Sequence, residues 1–322
     1  MLSRRHFLQG VTAFAASGLG LGGYAFAVEP NRMRVQTWRV EIDPARWPRG
    51  LRLRIAVLAD LHAGGPWMTG DRIAAIVAQT NDLAPDIVVL LGDYVATHRF
   101  LKPQVPHHVW AGALSRLDAP LGRYAVLGNH DWWDSRAVQA AMRGPTPAGE
   151  ALRGAGIPVL ENDALRLTWN GHPFWLLGLG DQWAFYGQAR ARGGPAPRAW
   201  SGYQGVDDLP ATLDQITDDA PAILLAHEPD IFPDVPDRVA LTISGHTHGG
   251  QVQFLGWAPI VPSRYRQRYL YGLITETQDA IEGAQARHIV VSAGLGCSGL
   301  PVRFGRPPEI TIIELEATAL SA

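Results

Sequence analysis

The sequence predicts a layered α/β fold, and two observations carry this prediction. Short continuous apolar runs recur along the chain, and each has the length and composition of a strand that is buried on both faces. Segments with helical spacing of apolar residues lie between several of these runs, and such alternation is typical of sheets covered by helices. With 322 residues, 47% of them hydrophobic, the chain can build one domain with a sizeable core.

The strands are predicted from the apolar runs. The clearest candidates lie at residues 54–58, 87–91, 124–127, 223–225, 240–244 and 289–292. The run at 310–315 alternates more between apolar and polar residues, which predicts an edge strand. Residues 166–169 and 174–177 flank Asn170-Gly171, the preferred pair for a tight turn, and therefore predict a hairpin.

Helices are predicted between the strands. Asp71 has the residue type of a helix cap, and the apolar spacing after it predicts a helix that runs to about Leu83. Three shorter helices are predicted at residues 109–117, 135–142 and 211–216.

Charge and cysteine content argue against a nucleic-acid-binding protein and against a catalytic thiol. The formal net charge of -2 provides no basic footprint, so we expect no nucleic-acid partner. Cys297 is the single cysteine, so an intramolecular disulfide cannot form. It lies in a glycine-rich stretch, which predicts a small loop residue rather than a catalytic thiol.

The first 27 residues predict either an export signal or a membrane anchor. Residues 3–9 contain paired arginines followed by Phe-Leu, and an apolar, glycine-rich stretch continues to Ala27, which resembles a twin-arginine signal. Cleavage after Ala27 would give a periplasmic protein made of residues 28–322, exported by the twin-arginine translocase. The alternative is an uncleaved anchor at the inner membrane, because the stretch is close to the roughly 20 residues that cross a bilayer.

Five short polar motifs each follow a predicted strand. They are Asp60-Leu61-His62, Gly92-Asp93, Gly128-Asn129-His130-Asp131, His227 and Gly245-His246-Thr247-His248-Gly249. Open α/β sheets place their sites at the carboxyl ends of the strands, so we expect these motifs to meet. In the Asp-x-His and His-x-His motifs, an extended backbone would point both side chains to the same side.

The residue types in these motifs predict a site for two divalent metal ions. Imidazole nitrogens and carboxylate oxygens suit Mn, Fe or Zn. A carboxylate can bridge two cations and an imidazole cannot, so one central aspartate suits a metal pair roughly 3.5–4 Å apart. The expected ligands are Asp60, His62, Asp93, Asn129, His227, His246 and His248.

The order of the five motifs resembles that of the calcineurin-like metallophosphoesterase superfamily, over essentially everything after residue 50. The resemblance implies a two-sheet αββα sandwich and hydrolysis of a phosphoester by a metal-bridging hydroxide. It implies that His130 protonates the leaving oxygen or stabilises the transition state. It also implies one metal at Asp60, His62 and His248, a second at Asn129, His227 and His246, and Asp93 between them.

A finer resemblance is to bacterial exported or membrane-associated phosphodiesterases, some of which hydrolyse the pyrophosphate of UDP-2,3-diacylglucosamine. Residues 246–251, 294–296 and 301–304 carry it. It implies a phosphodiester or pyrophosphate substrate that is lipid-linked or belongs to the envelope, and association with the membrane. Two alternatives stay open: a phosphomonoesterase of the same fold and a non-catalytic binding platform. The complete set of expected ligands argues against the binding platform, because such proteins typically lose ligands.

Two positions depart from other branches of the superfamily. Ala96 stands where protein phosphatases have an aspartate that orients the catalytic histidine, and Thr97 stands where their arginine follows. Purple acid phosphatases have an iron-binding tyrosine at the position of Ala96. These departures argue against both classes and leave the orienting partner of His130 open.

Further residues are candidates for substrate contacts. His98, Arg99 and Arg303 could bind a phosphate, and their alternative is solvated loop charge. Trp132 and Trp133 follow a metal motif and form either an apolar wall or part of the core. Residues 183–205 predict a long surface loop that is a lid, a membrane contact or merely variable, with aromatic and basic residues at Trp183, Phe185, Tyr186, Arg190, Arg192, Trp200 and Tyr203.

Overall fold

Two mixed β-sheets form the centre of the protein. The computed structural model describes residues 4–186, 202–278 and 285–319. The first sheet has five strands in the spatial order β1 (Arg34–Ile42), β11 (Glu309–Ala317), β2 (Leu53–Leu58), β3 (Ile87–Leu91) and β4 (Arg123–Val126). The second sheet has six, in the order β5 (Asp163–Trp169), β6 (His172–Gly178), β7 (Ala222–Leu225), β8 (Val239–Ser244), β10 (Gln285–Val291) and β9 (Gly272–Gln278).

The central strands of each sheet run parallel, so their carboxyl ends meet at one edge. β2, β3 and β4 are parallel neighbours in the first sheet. β6, β7, β8 and β10 are parallel neighbours in the second sheet. The predicted hairpin is confirmed, because β5 and β6 pair antiparallel on either side of Asn170-Gly171.

The prediction of an edge strand at residues 310–315 was wrong. β11 lies between β1, to which it is parallel, and β2, to which it is antiparallel. Its polar side chains have protein partners. The hydroxyls of Thr311 and Ser292 lie 3.0 Å apart, and Glu314 accepts a hydrogen bond of 2.7 Å from Arg54. The alternating pattern therefore reflects satisfied polar groups within the fold rather than a solvated edge.

The helices are α1 (Arg4–Gly23), α2 (Gly70–Asp82), α3 (His107–Leu114), α4 (Asn129–Trp133), α5 (Arg136–Ala141), α6 (Pro147–Gly154) and α7 (Leu209–Leu213). All of them except α1 pack on the outer faces of the two sheets. Asp71 is not the cap of α2 but lies in its first turn. Thr69 is the cap, and its hydroxyl accepts a hydrogen bond of 3.3 Å from the backbone N–H of Arg72.

Apolar side chains hold the four layers together. Between the sheets, Ile55 and Ile313 of the first sheet share one core with Leu176 and Leu241 of the second. The other face of the first sheet packs on α2, α3 and α6, and the other face of the second packs on α7. The predicted two-sheet αββα sandwich is therefore confirmed.

The N-terminal helix stands apart from these layers. Within the described residues, one helix is long and apolar enough to cross a membrane, and it comprises α1 and its continuation to Asn31. None of its most apolar stretch is buried inside the protein. A signal sequence has the same properties.

Candidate metal centre

All seven predicted ligand residues are buried at the edge where the parallel strands end. Asp60 and His62 follow β2, Asp93 follows β3, and Asn129 follows β4. In the second sheet, His227 follows β7, and His246 and His248 follow β8. Each of the seven is at most 5% exposed. Polar side chains at such burial need partners, so their shared environment must supply compensating charge or hydrogen bonds.

One group of potential ligands consists of Asp60, His62 and His248. Their ligand atoms all lie within 4.8 Å of one another. His62 Nε2 and His248 Nε2 are 3.1 Å apart, and His248 Nε2 is 3.8 Å from Asp60 Oδ1. Two ligand atoms bound to one cation at about 2.1 Å lie roughly 3.0–3.4 Å apart at ordinary bond angles. The two imidazoles are therefore spaced as ligands of one metal ion.

A second group consists of Asp93, His227 and His246, again within 4.8 Å. His227 Nε2 lies 3.3 Å from His246 Nδ1 and 3.3 Å from Asp93 Oδ2. The same oxygen of Asp93 is 3.5 Å from His62 Nε2 in the first group. Asp93 thus lies between the two groups, where a bridging carboxylate would be needed.

The backbone brings these side chains together in a way that the sequence analysis did not anticipate. An extended chain was expected at the Asp-x-His and His-x-His motifs, and this was wrong. Positive φ angles of 42° to 67° occur at five ligand residues, namely Asp60, His62, Asp93, His246 and His248. Such angles cost on the order of 1–3 kcal/mol at a non-glycine residue and cluster at functional sites. Tight left-handed turns therefore aim the ligands.

Backbone carbonyls fix the orientation of two histidine rings. His62 Nδ1 donates to Val95 O at 3.2 Å, and His227 Nδ1 donates to Leu91 O. Each bond places a proton on Nδ1 and directs Nε2 into the site.

Burial opposes protonation of His227, but the carboxylate of Asp93 raises its pKa well above the usual value, so a metal ion at Nε2 would displace a proton. Burial also lowers the pKa of His62 to about 4 and that of His246 to about 3. Both imidazoles are therefore neutral at pH 7, which is the form that binds a metal.

The carboxyl and amide groups fit a metal ion as well. Burial raises the pKa of Asp60 to about 7, because an ionised carboxylate without a cation beside it is unfavourable there. The side-chain oxygen Oδ1 of Asn129 is buried and has no hydrogen-bond partner in the described residues. A divalent cation would stabilise the charge of Asp60 and give Asn129 a partner. The donor set of imidazole, carboxylate and amide groups suits such a cation.

The comparison with known protein families agrees with this geometry. The family model of the calcineurin-like phosphoesterases matches residues 53–250. The chain belongs to this family. It is therefore a hydrolase that acts on phosphoric esters, and the residue groups described above could hold the divalent metal ions of such an enzyme.

Full-length bacterial relatives of this phosphoesterase are similar along almost the whole chain. It is 29% identical over 328 residues to the metallophosphoesterase YkuE of Bacillus subtilis, which covers 98% of this chain and 99% of YkuE. It is 30% identical over 322 residues to the phosphodiesterase YaeI of Escherichia coli, over 98% of this chain and 100% of YaeI. A Danio rerio protein named as a transmembrane protein with a metallophosphoesterase domain is 27% identical, over 86% of this chain and 56% of its own length.

Asp131 of the phosphoesterase organises two of the ligand loops, a role that the sequence analysis did not assign. Its Oδ2 accepts hydrogen bonds from the backbone N–H groups of Asp93, at 2.8 Å, and Gly128, at 2.9 Å. Its Oδ1 accepts one of 2.9 Å from the backbone N–H of Tyr94. The carboxylate therefore ties the loop after β3 to the loop after β4. The acidic residue that ends the Gly-Asn-His-Asp motif was the available signal.

His130 lies beside the ligand groups, and its orienting partner is Thr97. The hydroxyl of Thr97 forms a short hydrogen bond with His130 Nδ1. The backbone N–H of His130 donates to Asp93 Oδ1 at 2.8 Å, and its ring packs edge-on against His62 at 4.7 Å. Burial holds the pKa of His130 well below its usual range. Thr97 thus contacts the ring of His130, the histidine whose counterpart in protein phosphatases is oriented by an aspartate.

The three predicted substrate contacts have different positions. His98 lies at the site, because its ring centroid is 4.9 Å from that of His130. Arg99 is exposed, and its guanidinium lies over the ring of Phe100. Arg303 is fully buried and donates to the carbonyls of residues 293, 294, 296 and 306, with Nη2 3.3 Å from His248 Nδ1. Arg303 therefore supports His248 and the surrounding backbone from within the protein.

A row of stacked aromatic rings borders the site next to His130 and His246. Trp183, Tyr203, Trp133 and Tyr186 stack in that order, with centroid separations of 5.0, 5.2 and 4.8 Å. Trp183 also packs edge-on against His246, and Trp133 lies 4.9 Å from the ring of His130. Trp133 thus forms a wall of the site.

The neighbouring aromatic predictions have mixed outcomes. Trp132 is 3% exposed and belongs to the core. The predicted surface loop at residues 183–205 is buried at its start, because Trp183 and Phe185 are at most 6% exposed. Its predicted contacts at Arg190, Arg192 and Trp200 lie outside the described residues.

Proposed function

We propose that this phosphoesterase uses two divalent metal ions to hydrolyse a phosphodiester or a pyrophosphate. One observation carries the proposal: a single oxygen of Asp93 lies 3.5 Å from His62 and 3.3 Å from His227, which belong to different ligand groups. Asp60, His62 and His248 would hold one ion, and Asn129, His227 and His246 the other, with Asp93 between them. Bound there, Mn, Fe or Zn ions would activate water and offset the charge that develops on the phosphoryl oxygens.

The protein's own residues position the reaction. The bond from Thr97 holds the Nδ1 side of His130, so Nε2 is free to interact with the leaving-group oxygen. His98, next to His130, is the proposed phosphate contact. Arg99 and Arg303 are poorly placed for phosphate contacts, because the guanidinium of Arg99 lies over the ring of Phe100 and Arg303 is fully buried.

A diester is preferred over a monoester because of the charge beside the metals. A groove next to His248 is lined mostly by apolar side chains, together with polar ones that include His98, Gln251 and Ser298. Its lining within the described residues contains no Lys or Arg. A phosphomonoester carries about two negative charges and is commonly clamped by Arg or Lys, whereas a diester carries one. The similarity to a relative named as a phosphodiesterase supports the same choice.

Hydrolysis of two chromogenic substrates tests this function. Purified protein would be supplied in turn with manganese, iron and zinc, and assayed with bis-p-nitrophenyl and mono-p-nitrophenyl phosphate. We expect faster hydrolysis of the diester. Faster hydrolysis of the monoester would favour the phosphomonoesterase alternative, and no hydrolysis with any metal would favour a binding platform.

We further propose that the chain is exported by the twin-arginine route and that residues 1–27 remain as a membrane anchor of the domain 28–322. The end of the helix is attached to the domain: the carbonyl of Ala25 accepts a hydrogen bond of 2.9 Å from the backbone N–H of Arg303. The ring of Phe26 packs on Trp67 at 5.0 Å. The name of the Danio rerio relative, which includes the word transmembrane, is consistent with an anchor.

An envelope phosphodiester is then the expected substrate class. A UDP-linked lipid is the alternative, and it would require the domain to face the cytoplasm. Cell fractionation with determination of the mature N-terminus tests the location. A membrane-bound chain that keeps its first 27 residues is expected, and export should stop when Arg4 and Arg5 are both replaced by Lys. A soluble periplasmic protein that begins at Val28 would contradict the anchor.

A further inference from the structure

A tight hairpin near the site has an unusual residue at its tip. Phe254 and Trp257 exchange backbone hydrogen bonds of 2.9 and 3.0 Å around Leu255 and Gly256. The φ angles of these two residues are 50° and 84°, the geometry that strongly favours Asn-Gly. Leu255 is poorly suited to it, and its side chain is fully exposed. In water, this tip combines backbone strain with unburied apolar surface.

Leu255 belongs to a larger exposed apolar surface, which we call the apolar rim. The rim comprises residues that are each more than half exposed, namely Phe254, Leu255, Trp257, Ile260 and Leu300. Large contiguous apolar surfaces are uncommon on soluble monomers and mark sites of protein or membrane contact. The next segment of the chain carries an exposed Arg266. The side chain of Gln267 connects this segment to the base of the hairpin, because it donates a hydrogen bond to the carbonyl of Ala258.

The apolar rim is joined directly to the end of the N-terminal helix. The ring of Phe304 contacts Phe254 at 5.1 Å and Tyr24 at 6.2 Å. The backbone N–H of Gln253 donates to the carbonyl of Phe304 at 2.7 Å. The 20 residues of α1 extend about 30 Å, the thickness of the hydrocarbon core of a bilayer. If α1 crosses a bilayer, its end at Tyr24 and the rim lie at the same membrane interface, where Trp side chains are enriched.

The groove beside the metal ligands opens at the rim. Its volume is about 330 Å³, and Ile260 and Leu300 of the rim form part of its wall. Val252 and Val302 line it further, and His98 and His248 belong to the same lining. An apolar path therefore leads from the exposed rim to the metal centre.

We propose that the apolar rim docks on a lipid bilayer and that the groove admits the apolar part of a phosphoester carried in that bilayer. The docking follows from the rim and its connection to α1. The second statement rests on the proposed function, because it requires the metal centre to act on that phosphoester. The bilayer is the occupant that explains both the exposed Leu255 and the position of the rim beside the apolar helix.

Fluorescence quenching in vesicles tests the docking without any need for activity. The full chain, with Cys297→Ala as background, would carry an environment-sensitive fluorophore at Leu255→Cys. Asn170→Cys is a matched control, because Asn170 and Gly171 have φ angles of 48° and 81° and form the exposed tip of the β5–β6 hairpin. The protein would be placed in phosphatidylcholine vesicles whose acyl chains carry nitroxide groups.

We expect a blue-shifted emission and strong quenching at position 255, and neither at position 170. Equal quenching at the two positions would overturn the docking. A blue shift at position 255 without quenching would also overturn it, because it would indicate a protein partner or a second copy on the rim.

The second statement is tested by two substrates in parallel. Leu255→Ser combined with Trp257→Ser should lower hydrolysis of a fluorescent phosphodiester lipid in vesicles by roughly tenfold or more, since each side chain loses its burial in the bilayer. Hydrolysis of soluble bis-p-nitrophenyl phosphate should not change. Val35→Ser, on an exposed apolar residue of β1, is the control. An equal loss on both substrates would overturn the statement, whereas quenching without any hydrolysis would contradict the proposed function and leave the docking intact.

Discussion

The ligand residues and the apolar rim depart from the usual distribution of side chains in opposite directions. Asp60, Asp93 and His227 are polar and buried, whereas Leu255 and Trp257 are apolar and exposed. Each arrangement is unfavourable in isolation. A cation would compensate the first, and a bilayer would compensate the second. Both regions therefore fit a partner outside the chain, and the two proposed partners have opposite chemistry.

The largest effect is expected at the carboxylate between the two ligand groups. Asp93→Asn should lower kcat for bis-p-nitrophenyl phosphate by roughly a thousandfold, equivalent to about 4 kcal/mol, because the amide cannot bridge two cations as a carboxylate does. Asp82→Asn, at an exposed position in α2, is the control. Activity within tenfold of the parent enzyme would count against the metal pair.

Removal of metal should affect stability as well as activity. Chelation leaves the buried carboxyl and imidazole groups without their cations, so we expect complete loss of activity and a melting temperature lower by roughly 5–10 °C. Lower pH should also reduce the activity and the melting temperature, because protons compete with the metal for the imidazoles. Calorimetry of metal-loaded and chelated protein measures the shift. An unchanged melting temperature would indicate that the ligand residues hold no metal.

A smaller effect is expected at the partner of His130. Thr97→Val removes the hydroxyl that contacts Nδ1, so kcat should fall roughly tenfold while KM changes little. Thr97→Ser restores the hydroxyl and should restore the rate. If the valine and serine variants were equally slow, Thr97 would have a packing role and not a positioning role.

The smallest effect is expected at the tip of the rim. Leu255→Asn places the preferred residue in a left-handed turn and removes an exposed apolar side chain, so it should raise the free energy of unfolding by about 0.5–1 kcal/mol in solution. Denaturant unfolding of the metal-loaded protein measures this change. A loss of stability would mean that Leu255 makes a contact within the protein that outweighs the strain of the turn.

The convergence of the polar motifs could be predicted from the sequence because its signal is local. Each ligand lies within four residues of the end of a buried strand, and strand ends of parallel sheets converge, so the motifs indicated a common site. The backbone of that site was not predictable in the same way. Extended geometry was expected at Asp60 and His62, but φ angles of 54° and 42° depend on the surrounding fold.

The partner of His130 and the apolar rim also escaped prediction, because both depend on distant packing. Thr97 meets His130 across 33 residues of chain. Phe254 meets Tyr24 only through Phe304, which lies at the other end of the sequence. For β11, the alternation of apolar and polar residues was visible in the sequence. Its position inside the sheet was not, because that depends on β1, the strand that pairs with its second edge.

The metal content of the purified protein tests the central proposal most directly. Protein expressed with added manganese, iron and zinc and then passed through a desalting column would be measured by elemental analysis, beside Asp93→Asn treated in the same way. We expect about two transition-metal ions per chain in the parent protein and at most one in the variant. An active parent protein that carries no transition metal, or a variant that retains the full complement, would contradict the shared role of Asp93.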